Sequence, residues 1–497
     1  MRLGALMEQA GLKTEAGAET SVTGFAIDHR KVAPGTVFGA FRGAKFNAED
    51  FIPAAIEAGA VAVIASPEAS VEGALHIASD EPRQTFAQLA ARFFKPVPET
   101  VVAVTGTNGK TSVSEMTRQI WRMCGERAAS IGTLGVTTPD GSVSTGLTTP
   151  DIVTFLSNMS GLAREGVTHV AYEASSHGLS QFRNEGLRVK AGAFTNLSRD
   201  HLDYHGTMEQ YFAAKMRLFS EVVEDGGHAV IWHGADDSEW AASAVHSAQA
   251  RGLKAATVGE RGEFLRLISR EVTQLGQVLE VEHGGETRSI KLPLIGAYQA
   301  ANALLSASLA MVTGSVAAQV FDAISRLQPV RGRLERAVIT ASGAPAYVDY
   351  AHTPDALEAA IAALRPHVGA DRNGRLIVVF GAGGDRDKGK RGPMGEVAAQ
   401  RADLAIVTDD NPRGEAPADI RAEVLAGAKG APHVRAIAGR REAIAKAIAE
   451  AGANDIILIA GKGHEQGQII GSGDTMQVLP FDDVEVAREC AAIGVSA

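Results

Sequence analysis

Seven short apolar runs recur along the chain, and each ends in a break rich in glycine or acidic residues before a stretch with helical character. The runs are Thr100–Gly106, His169–Ser176, Ala191–Asn196, His228–Gly234, Arg375–Gly384, Asp403–Pro412 and Asp455–Gly463. Nearly continuous apolar strands that alternate with helices are typical of parallel sheets covered on both faces. We therefore predict an α/β fold in which ligands bind beyond the carboxyl ends of the strands.

Composition excludes several classes of protein. The 497 residues are enough for about three domains. A net charge of −10 gives no overall attraction to nucleic acid or to anionic lipid. Cys124 and Cys490 are too far apart in sequence for a disulfide framework or a clustered thiolate site. Because neither a secretory signal nor a long apolar span is evident, we expect a cytoplasmic protein that binds neither membrane nor nucleic acid.

Two proline-containing breaks suggest domain boundaries. Lys95–Pro98 contains two prolines, which disfavour helix and suit a linker, and Gln328–Arg333 follows a helical run from about Ala300 to Leu327. We predict domains at 1–97, 98–330 and 331–497. The glycine-rich and charged stretch Val258–Leu294 is interpreted as antiparallel hairpins attached to the central domain.

A glycine loop between an apolar run and a helix is the strongest single motif. A loop of this kind turns backbone N–H groups and a helix N-terminus toward one point, which suits a polyphosphate. Lys110 is expected to meet the β- and γ-phosphates, and the Thr111 hydroxyl to ligate Mg²⁺. Val104 stands where the usual P-loop pattern has glycine, so this is a tighter variant, and an ordinary glycine turn is the alternative. The loop comprises Gly106, Thr107, Asn108, Gly109, Lys110, Thr111 and Ser112.

Two further clusters follow other strands. Glu173, at the end of an apolar run, is placed to hold a hard cation, although a solvated strand-end charge is the alternative. The segment Thr195–Gly206 crowds Asp and His side chains, including His201, into a strand-to-helix loop. Downstream, Tyr211–Arg217 is interpreted as an amphipathic helix on which Lys215, taken alone, is a surface lysine.

Seven motifs in this order resemble those of the Mur ligases. The motifs are TGTNGKT, EASSHGL, TNLSRDHLDYHGT, DYAHTPDAL, GGDRDKGKR, DDNPR and AGKGHE. The resemblance implies a UDP-binding N-terminal α/β domain, a central P-loop ATPase-like parallel-sheet domain and a C-terminal Rossmann-like α/β domain. It also implies a monomeric, ATP-dependent amide ligase of peptidoglycan precursor synthesis, whose peptide carboxylate is activated as an acyl phosphate and then attacked by an amine.

The resemblance implies roles for individual residues. Lys110, Glu173, His201 and Lys215 match catalytic positions, and Thr111, Glu173, His201 and a carbamylated Lys215 match Mg²⁺ positions. Asn302, Arg333 and Asp349 match nucleotide contacts, although Gln299 stands where many relatives have Asn. Contacts with the UDP-MurNAc-dipeptide fall on Ile27, His29, Thr148, Thr149, Ser175, Gln181 and Arg183. His29 replaces the usual serine, and Gly43–Phe46 matches the diphosphate loop more loosely.

The third domain is expected to choose the amine. Asp410–Arg413 resembles the segment of relatives that add meso-diaminopimelate, and lysine-adding relatives lack this arginine. Diaminopimelate carries a second carboxylate, which a guanidinium can bind through two hydrogen bonds. Arg413 is thus the predicted discriminator, with a surface residue after a proline turn as the alternative. The matching positions are Arg386, Asp410, Asn411, Pro412, Arg413, Gly461 and Glu465.

Three rival interpretations remain open at this point. A generic P-loop ATPase or kinase predicts a standard glycine spacing, which this loop lacks. A sister ligase, similar to folylpolyglutamate synthetase or to the enzyme that adds D-Ala-D-Ala, shares the GTNGKT loop but not the DNPR and AGKGHE segments. A non-catalytic nucleotide-binding scaffold predicts no phosphate release on addition of an amino acid.

Overall fold

The computed structural model describes residues 1–12, 17–43, 46–143, 148–235, 239–273, 276–368 and 373–493. Two compact units are present. The first unit contains residues 1–197, 205–264 and 305–320, and the second contains residues 198–204, 265–304 and 321–497. The domain boundaries near residues 98 and 331 stay predictions.

Four strands in the described part of residues 1–93 form a parallel sheet, with the order β1-β2-β3-β4. Phe25 and Phe86 pack edge to face beside it, with ring centroids 5.4 Å apart. The elements are α1 (Leu3–Gln9), β1 (Gly24–Ala26), β2 (Thr36–Gly39), α2 (Ile52–Glu57), β3 (Ala60–Ala65), β4 (Leu75–Ala78) and α3 (Pro82–Phe93).

The rest of the first unit is built on a larger sheet. Its parallel part has the order β12-β11-β10-β5-β9-β6, and β7 and β8 extend it as antiparallel edge strands. The parallel sheet predicted from the apolar runs is thus confirmed. The elements are β5 (Thr100–Thr105), α4 (Lys110–Met123), β6 (Ala128–Gly132), β7 (Gly135–Thr137), β8 (Ser142–Val143), α5 (Ile152–Arg164), β9 (His169–Glu173), α6 (Ser176–Ser180), β10 (Val189–Phe194), α7 (Leu202–His205), α8 (Met208–Arg217), β11 (Val223–Trp232), α9 (Glu239–Ala250) and β12 (Lys254–Gly259).

The predicted antiparallel hairpins are present as β13 (Leu265–Thr273), β14 (Gly276–His283) and β15 (Glu286–Leu292). The helical run expected from Ala300 to Leu327 is instead two helices, α10 (Ala297–Val312) and α11 (Ala317–Ile324). Gly314, with φ of +111°, lies between them. A left-handed glycine after the last turn is a common helix end, which explains the break.

A six-stranded sheet organises the second unit, with the order β16-β17-β21-β18-β19-β20. Its core residues alternate between two faces: Val378 and Phe380 belong to one buried cluster, and Ile377 and Val379 to another. Both faces are therefore covered, as expected for a mainly parallel sheet. The elements are β16 (Glu335–Ile339), β17 (Pro345–Asp349), α12 (Pro354–Val368), β18 (Leu376–Phe380), α13 (Arg391–Arg401), β19 (Leu404–Val407), α14 (Pro417–Gly427), β20 (Val434–Ala436), α15 (Arg440–Glu450), β21 (Ile456–Ala460), β22 (Gly467–Ile470), β23 (Gln477–Pro480) and α16 (Asp483–Ile493).

Among the described ranges, no helix is long and apolar enough to cross a membrane.

Candidate active site

The glycine loop connects the carboxyl end of β5 to the first turn of α4. Gly106 has φ of +143° and Gly109 has φ of +88°, which are conformations that favour glycine. A Cβ at Gly106 would also collide with the Thr195 hydroxyl. The loop is therefore close-packed against the end of β10, and its backbone N–H groups lead into the N-terminus of a 14-residue helix, as an anion site requires.

Thr195 and Asn196, which the sequence alone does not identify as contacts of the glycine loop, hold this turn through hydrogen bonds. The Thr195 hydroxyl donates to the Asn108 carbonyl at 2.5 Å, and the Asn108 N–H donates to the Asn196 side-chain oxygen at 2.9 Å. The Thr107 N–H donates to the Asn196 carbonyl at 3.0 Å. Strand β10 neighbours β5 in the sheet, so the carboxyl ends of these two strands lie side by side. A prediction of this strand order would have placed Thr195 and Asn196 next to the glycine loop.

Two lysines converge on the loop. The Lys110 ammonium donates to the Gly106 and Thr107 carbonyls at 2.9 and 2.7 Å. Lys215 donates to the same Gly106 carbonyl at 2.7 Å. Both lysine side chains therefore lie at the glycine turn, where the phosphates are expected to bind.

Lys215 is 1% exposed, so the alternative of a surface lysine is wrong. It lies on the predicted helix, observed as α8, with its ammonium 4.1 Å from the centre of the Tyr211 ring. The Tyr211 hydroxyl lies 3.3 Å from the Thr107 hydroxyl. Helix α8 therefore delivers a buried amine and an aromatic ring to the side of the glycine loop.

Glu173 is 2% exposed at the end of β9, so the alternative of a solvated strand-end charge is wrong. Its two carboxylate oxygens accept from the Thr133 N–H at 2.7 Å and from the Thr133 hydroxyl at 3.1 Å. A Cβ at Gly132 would collide with this carboxylate, so only glycine leaves it room.

A small pocket lies between Glu173 and the first turns of α4, and its lining includes Thr111, Ser114 and Ser130. The Ser114 hydroxyl oxygen is buried and has no hydrogen-bond partner within the described residues. A carboxylate with several hydroxyl oxygens is a donor set that fits Mg²⁺. The described residues contain no cluster of three or more His, Cys, Asp or Glu side chains suited to a metal, so further ligands would have to be hydroxyls, water or substrate oxygens.

A polar network continues from Glu173 to the residues expected to hold the dipeptide. The Thr149 hydroxyl donates to the Glu173 carbonyl at 2.8 Å and to the Ser175 hydroxyl at 2.9 Å. Arg183 donates to the Thr149 carbonyl at 2.9 Å and to the Gln181 side-chain oxygen at 2.7 Å. The structure thus brings these predicted residues together, and Thr148 joins them by accepting from the Thr133 hydroxyl at 3.1 Å.

Ile27 and His29, two of the expected contacts with the UDP-MurNAc-dipeptide, line a cavity of about 510 Å³. His29 stacks on Phe51 with 4.5 Å between ring centres, and Phe46 stacks on the same ring at 5.0 Å. The hydrogen bond from Arg30 lowers the pKa of the neighbouring Asp28 carboxyl to about 2. Gly43 and Phe46 are described, whereas Ala44 and Lys45 of the predicted diphosphate loop lie outside the described residues.

His201 belongs to the second unit, whereas Lys110, Glu173 and Lys215 belong to the first. Its N–H donates to the Asp200 carboxylate at 2.9 Å, and its φ is +54°. Its assignment to a metal site stays a prediction.

The predicted nucleotide residues of the second unit are linked to one another. Asn302 donates to the Gln299 side-chain oxygen at 3.1 Å, and Gln299 donates to the Arg333 carbonyl at 3.2 Å. Asp349 accepts from the Leu334 N–H at 2.7 Å, and burial raises the pKa of its carboxyl. Gln299, which departs from the family pattern, therefore connects Asn302 with the backbone of Arg333, just before β16.

The segment Asp410–Arg413 follows β19, where it meets residues that follow β18 and β21. Arg413 has φ of +51° and donates to the Gly384 carbonyl at 2.9 Å, and its own N–H donates to the Ile469 carbonyl at 3.1 Å. It is thus pinned to strand β22, and the alternative of a surface residue at a helix start is wrong. Burial, together with the nearby Arg386 guanidinium, lowers the pKa of Arg413. Two cationic groups side by side form a suitable site for a carboxylate.

Glu415 ties this loop to the protein interior. It accepts from the Asp385 N–H at 2.6 Å and from the two terminal nitrogens of Arg391 at 2.9 and 3.0 Å. Arg391 is 1% exposed. The hydrogen bonds from Arg391 lower the pKa of the Glu415 carboxyl from 4.5 to about 2.

We predict that Glu415→Ala lowers the free energy of unfolding by about 1–3 kcal/mol, because a buried guanidinium loses a carboxylate partner. Since the pKa of Glu415 is depressed on folding, its contribution is fully present above pH 4.5 and is lost as the pH falls toward 2. Denaturant titration at neutral and acidic pH measures both effects. Glu396→Ala, which removes a surface pair with Lys429, is the matched control and should change stability by less than about 1 kcal/mol. Equal losses in both variants would contradict the prediction.

Comparison with known proteins identifies the class. Residues 104–310 match the Mur ligase middle domain, and residues 332–463 match the Mur ligase glutamate ligase domain. A relative from Zymomonas mobilis subsp. mobilis, named UDP-N-acetylmuramoyl-L-alanyl-D-glutamate--2,6-diaminopimelate ligase, is 58% identical over 488 residues, which are 98% of each chain. The chain therefore belongs to the Mur ligase family.

Solved structures agree with this assignment. A structure described as UDP-N-acetylmuramoyl-L-alanyl-D-glutamate--2,6-diaminopimelate ligase is 32% identical, covers 99% of both chains and has a TM-score of 0.70. A MurF ligase from Thermotoga maritima in complex with ADP is 19% identical, covers 96% of this chain and 98% of that one, and has a TM-score of 0.61. The latter likeness establishes the fold alone.

Proposed function

We propose that this chain is an ATP-dependent ligase that joins meso-diaminopimelate to the γ-carboxylate of the D-Glu residue in UDP-MurNAc-L-Ala-D-Glu. The observation that carries the proposal is the network that joins Glu173, beside the glycine loop, to Thr149, Ser175 and Arg183. It connects the expected phosphate site directly to the expected dipeptide site. The name of the Zymomonas mobilis relative supports the same reaction.

The chemistry begins with a poor electrophile. The peptide carboxylate attacks the terminal phosphorus of ATP, which forms an acyl phosphate and releases ADP. The amine of diaminopimelate then attacks the acyl carbon, and collapse of the tetrahedral intermediate expels phosphate and leaves an amide. Several negative charges must come together in the first step, so fixed cations lower its barrier.

Lys110 supplies one of these cations by exchanging its contacts with the loop carbonyls for the β- and γ-phosphates, which the N–H groups of 106–112 also bind. Thr111 and Glu173 are the residues that would hold Mg²⁺, and when bound this ion would neutralise phosphate charge. We assign a metal-binding role to His201 and, in its carbamylated form, to Lys215. Asn302, Arg333 and Asp349 are assigned to the nucleotide.

Arg413 and Arg386 bind the carboxylate that distinguishes diaminopimelate from lysine. Glu465 takes an ammonium group, and Gly461 lets the substrate and Asp410 approach closely, since a Cβ there would meet the Asp410 carboxylate at 2.6 Å. Asn411 and Pro412 shape the loop. Ile27 and His29 contact the uridine end. These assignments describe a monomeric enzyme of the cytoplasm, where ATP and the nucleotide-linked precursor are both available.

If Lys215 acts as a carbamate, Lys215→Ala should abolish most activity, and added short carboxylates such as acetate should restore part of it. The physical reason is that a small carboxylate can occupy the space of the missing side chain beside Gly106 and Tyr211. Phosphate release measured with and without acetate tests this. Lys190→Ala, which removes a lysine bonded to the Thr100 hydroxyl on the same sheet, should show no acetate dependence. Absence of rescue in Lys215→Ala would contradict the assignment of a carbamate to Lys215.

A phosphate-release assay with an amino-acid panel tests the proposed function. The enzyme receives ATP, Mg²⁺ and UDP-MurNAc-L-Ala-D-Glu, and then diaminopimelate, lysine, the dipeptide D-Ala-D-Ala or glutamate. Phosphate should appear rapidly with diaminopimelate and far more slowly with the other amines. Release without any amine indicates a plain ATPase, a preference for D-Ala-D-Ala or glutamate indicates a sister ligase, and no release with any amine indicates a scaffold. Each of these results would reject the proposal.

A further inference from the structure

Lys462 is a fully buried lysine in the turn that follows β21. Its exposure is 0%, although it lies within the AGKGHE segment beside the predicted amine site. Lysine is almost never buried completely unless it is paired, because an unpaired ammonium away from water is very costly. We therefore expect the Lys462 ammonium to have specific hydrogen-bond partners, and these partners indicate its role.

The partners of Lys462 are two of the residues expected to contact the amine substrate. Its ammonium donates to the Asn411 side-chain oxygen at 2.9 Å and to Glu465 Oε2 at 3.1 Å. The Asn411 side-chain N–H₂ donates to the same Glu465 oxygen at 2.9 Å. The three side chains thus form a closed triangle of hydrogen bonds.

The triangle fixes which way the Asn411 amide points. Its oxygen accepts from Lys462 and also from the Ile469 N–H of β22 at 2.9 Å. A flipped amide would direct its N–H₂ group at an ammonium and at a backbone N–H, which are both donors. Asn411 is 3% exposed, so water cannot compensate for such a flip.

The triangle also determines which Glu465 oxygen is available to substrate. Both side-chain contacts of this carboxylate are made by Oε2. Within the described part of the chain, Oε1 has no hydrogen-bond partner, and the side chain is 31% exposed. One oxygen is therefore anchored from the interior while the other remains open to an incoming cation.

We propose that Lys462 is a positioning residue for the amine substrate: it holds the Glu465 carboxylate in place, through Oε2 and through Asn411, so that Oε1 receives an ammonium group of the amino acid. This inference rests on the proposed function, since it assigns Glu465 to the amine. Lys462 itself does not touch the substrate. Its effect is to preorganise the Glu465 carboxylate, so that less conformational entropy is lost when the amine binds.

Lys462→Met tests the role, because methionine keeps an unbranched side chain but removes the charge and the donors. We expect the KM for diaminopimelate to rise by about tenfold to a hundredfold, with the KM values for ATP and for UDP-MurNAc-L-Ala-D-Glu within about twofold of the wild type. Lys446→Met is the matched control, since Lys446 is half exposed and pairs with Glu450 across one helical turn; it should leave all three KM values unchanged. A rise of all three KM values together in Lys462→Met would indicate general structural damage and overturn the proposal.

A double-mutant cycle with Glu465→Gln gives a second readout that a structural role would not move. If Lys462 acts through Glu465, the KM of the double variant for diaminopimelate should be no higher than that of the single variant with the larger KM. The reason is that both substitutions remove the same interaction. Multiplicative losses would show independent roles and would overturn the proposal. If Lys462→Met does not yield folded protein, Lys462→Gln takes its place in both experiments with the same expected and contrary outcomes.

The wild-type assay separates this inference from the proposed function. Wild-type enzyme that releases no phosphate with diaminopimelate rejects the proposed function. Wild-type enzyme that uses diaminopimelate, together with an unchanged KM in the Lys462 variant, rejects the positioning role alone.

Discussion

Lys110→Ala should abolish turnover, with a loss in kcat of at least about a hundredfold. The Lys110 ammonium lies over the glycine turn, 2.9 and 2.7 Å from two loop carbonyls, and is the side chain best placed to stabilise charge on the transferred phosphoryl group. The contact with that group strengthens as the phosphoryl moves, so its loss falls on the transition state. Phosphate release under saturating substrates measures the effect.

Lys254→Ala is the matched control for Lys110→Ala, since Lys254 is an exposed lysine of the same unit, and it should retain full activity. Thermal unfolding of both variants should stay close to that of the wild type, because the hydrogen bonds from Lys110 to the Gly106 and Thr107 carbonyls lie within its own loop. Near-normal turnover in Lys110→Ala would exclude the phosphate role for this lysine.

Arg413→Ala should raise the KM for diaminopimelate by about tenfold to a hundredfold, because a charge-assisted hydrogen bond contributes about 1.5–3 kcal/mol. Lysine lacks the second carboxylate, so its already poor kcat/KM should hardly change. The ratio of kcat/KM for diaminopimelate to that for lysine should therefore fall by a similar factor. Steady-state kinetics with both amines measures this ratio.

Arg435→Ala controls for loss of an arginine in the same unit, because Arg435 pairs with Glu450 and is 40% exposed. It should leave both the KM and the selectivity unaltered. If Arg413→Ala keeps the wild-type selectivity for diaminopimelate, another residue binds the second carboxylate and the assignment of Arg413 is wrong.

Much of the fold follows from patterns that short-range chemistry imposes. Continuous apolar runs such as Thr100–Thr105 can be buried on both faces only in a covered parallel sheet, and the glycine turn after this run has few uses other than a close backbone approach. The helix around Lys215 was likewise predictable from its periodicity.

Other features depend on contacts between distant segments, and the sequence alone does not encode them locally. Lys215 and Lys462 are indistinguishable from surface lysines by composition, and their burial arises from packing against Gly106 in one case and Asn411 in the other. The brace that Asn196 gives Asn108 depends on which strands are neighbours. The break at Gly314 is a case in which a local feature decides the structure. The glycine there ends a helix that the apolar periodicity alone predicts to continue.

The most direct test of the central claim follows one oxygen atom. The D-Glu γ-carboxylate of UDP-MurNAc-L-Ala-D-Glu is labelled with heavy oxygen, and the phosphate released during ligation of diaminopimelate is analysed by mass spectrometry. Activation of that carboxylate by the phosphoryl group from the Lys110 loop predicts one labelled oxygen in each phosphate released. Phosphate that carries no label, formed at the same rate as ADP, would contradict the account.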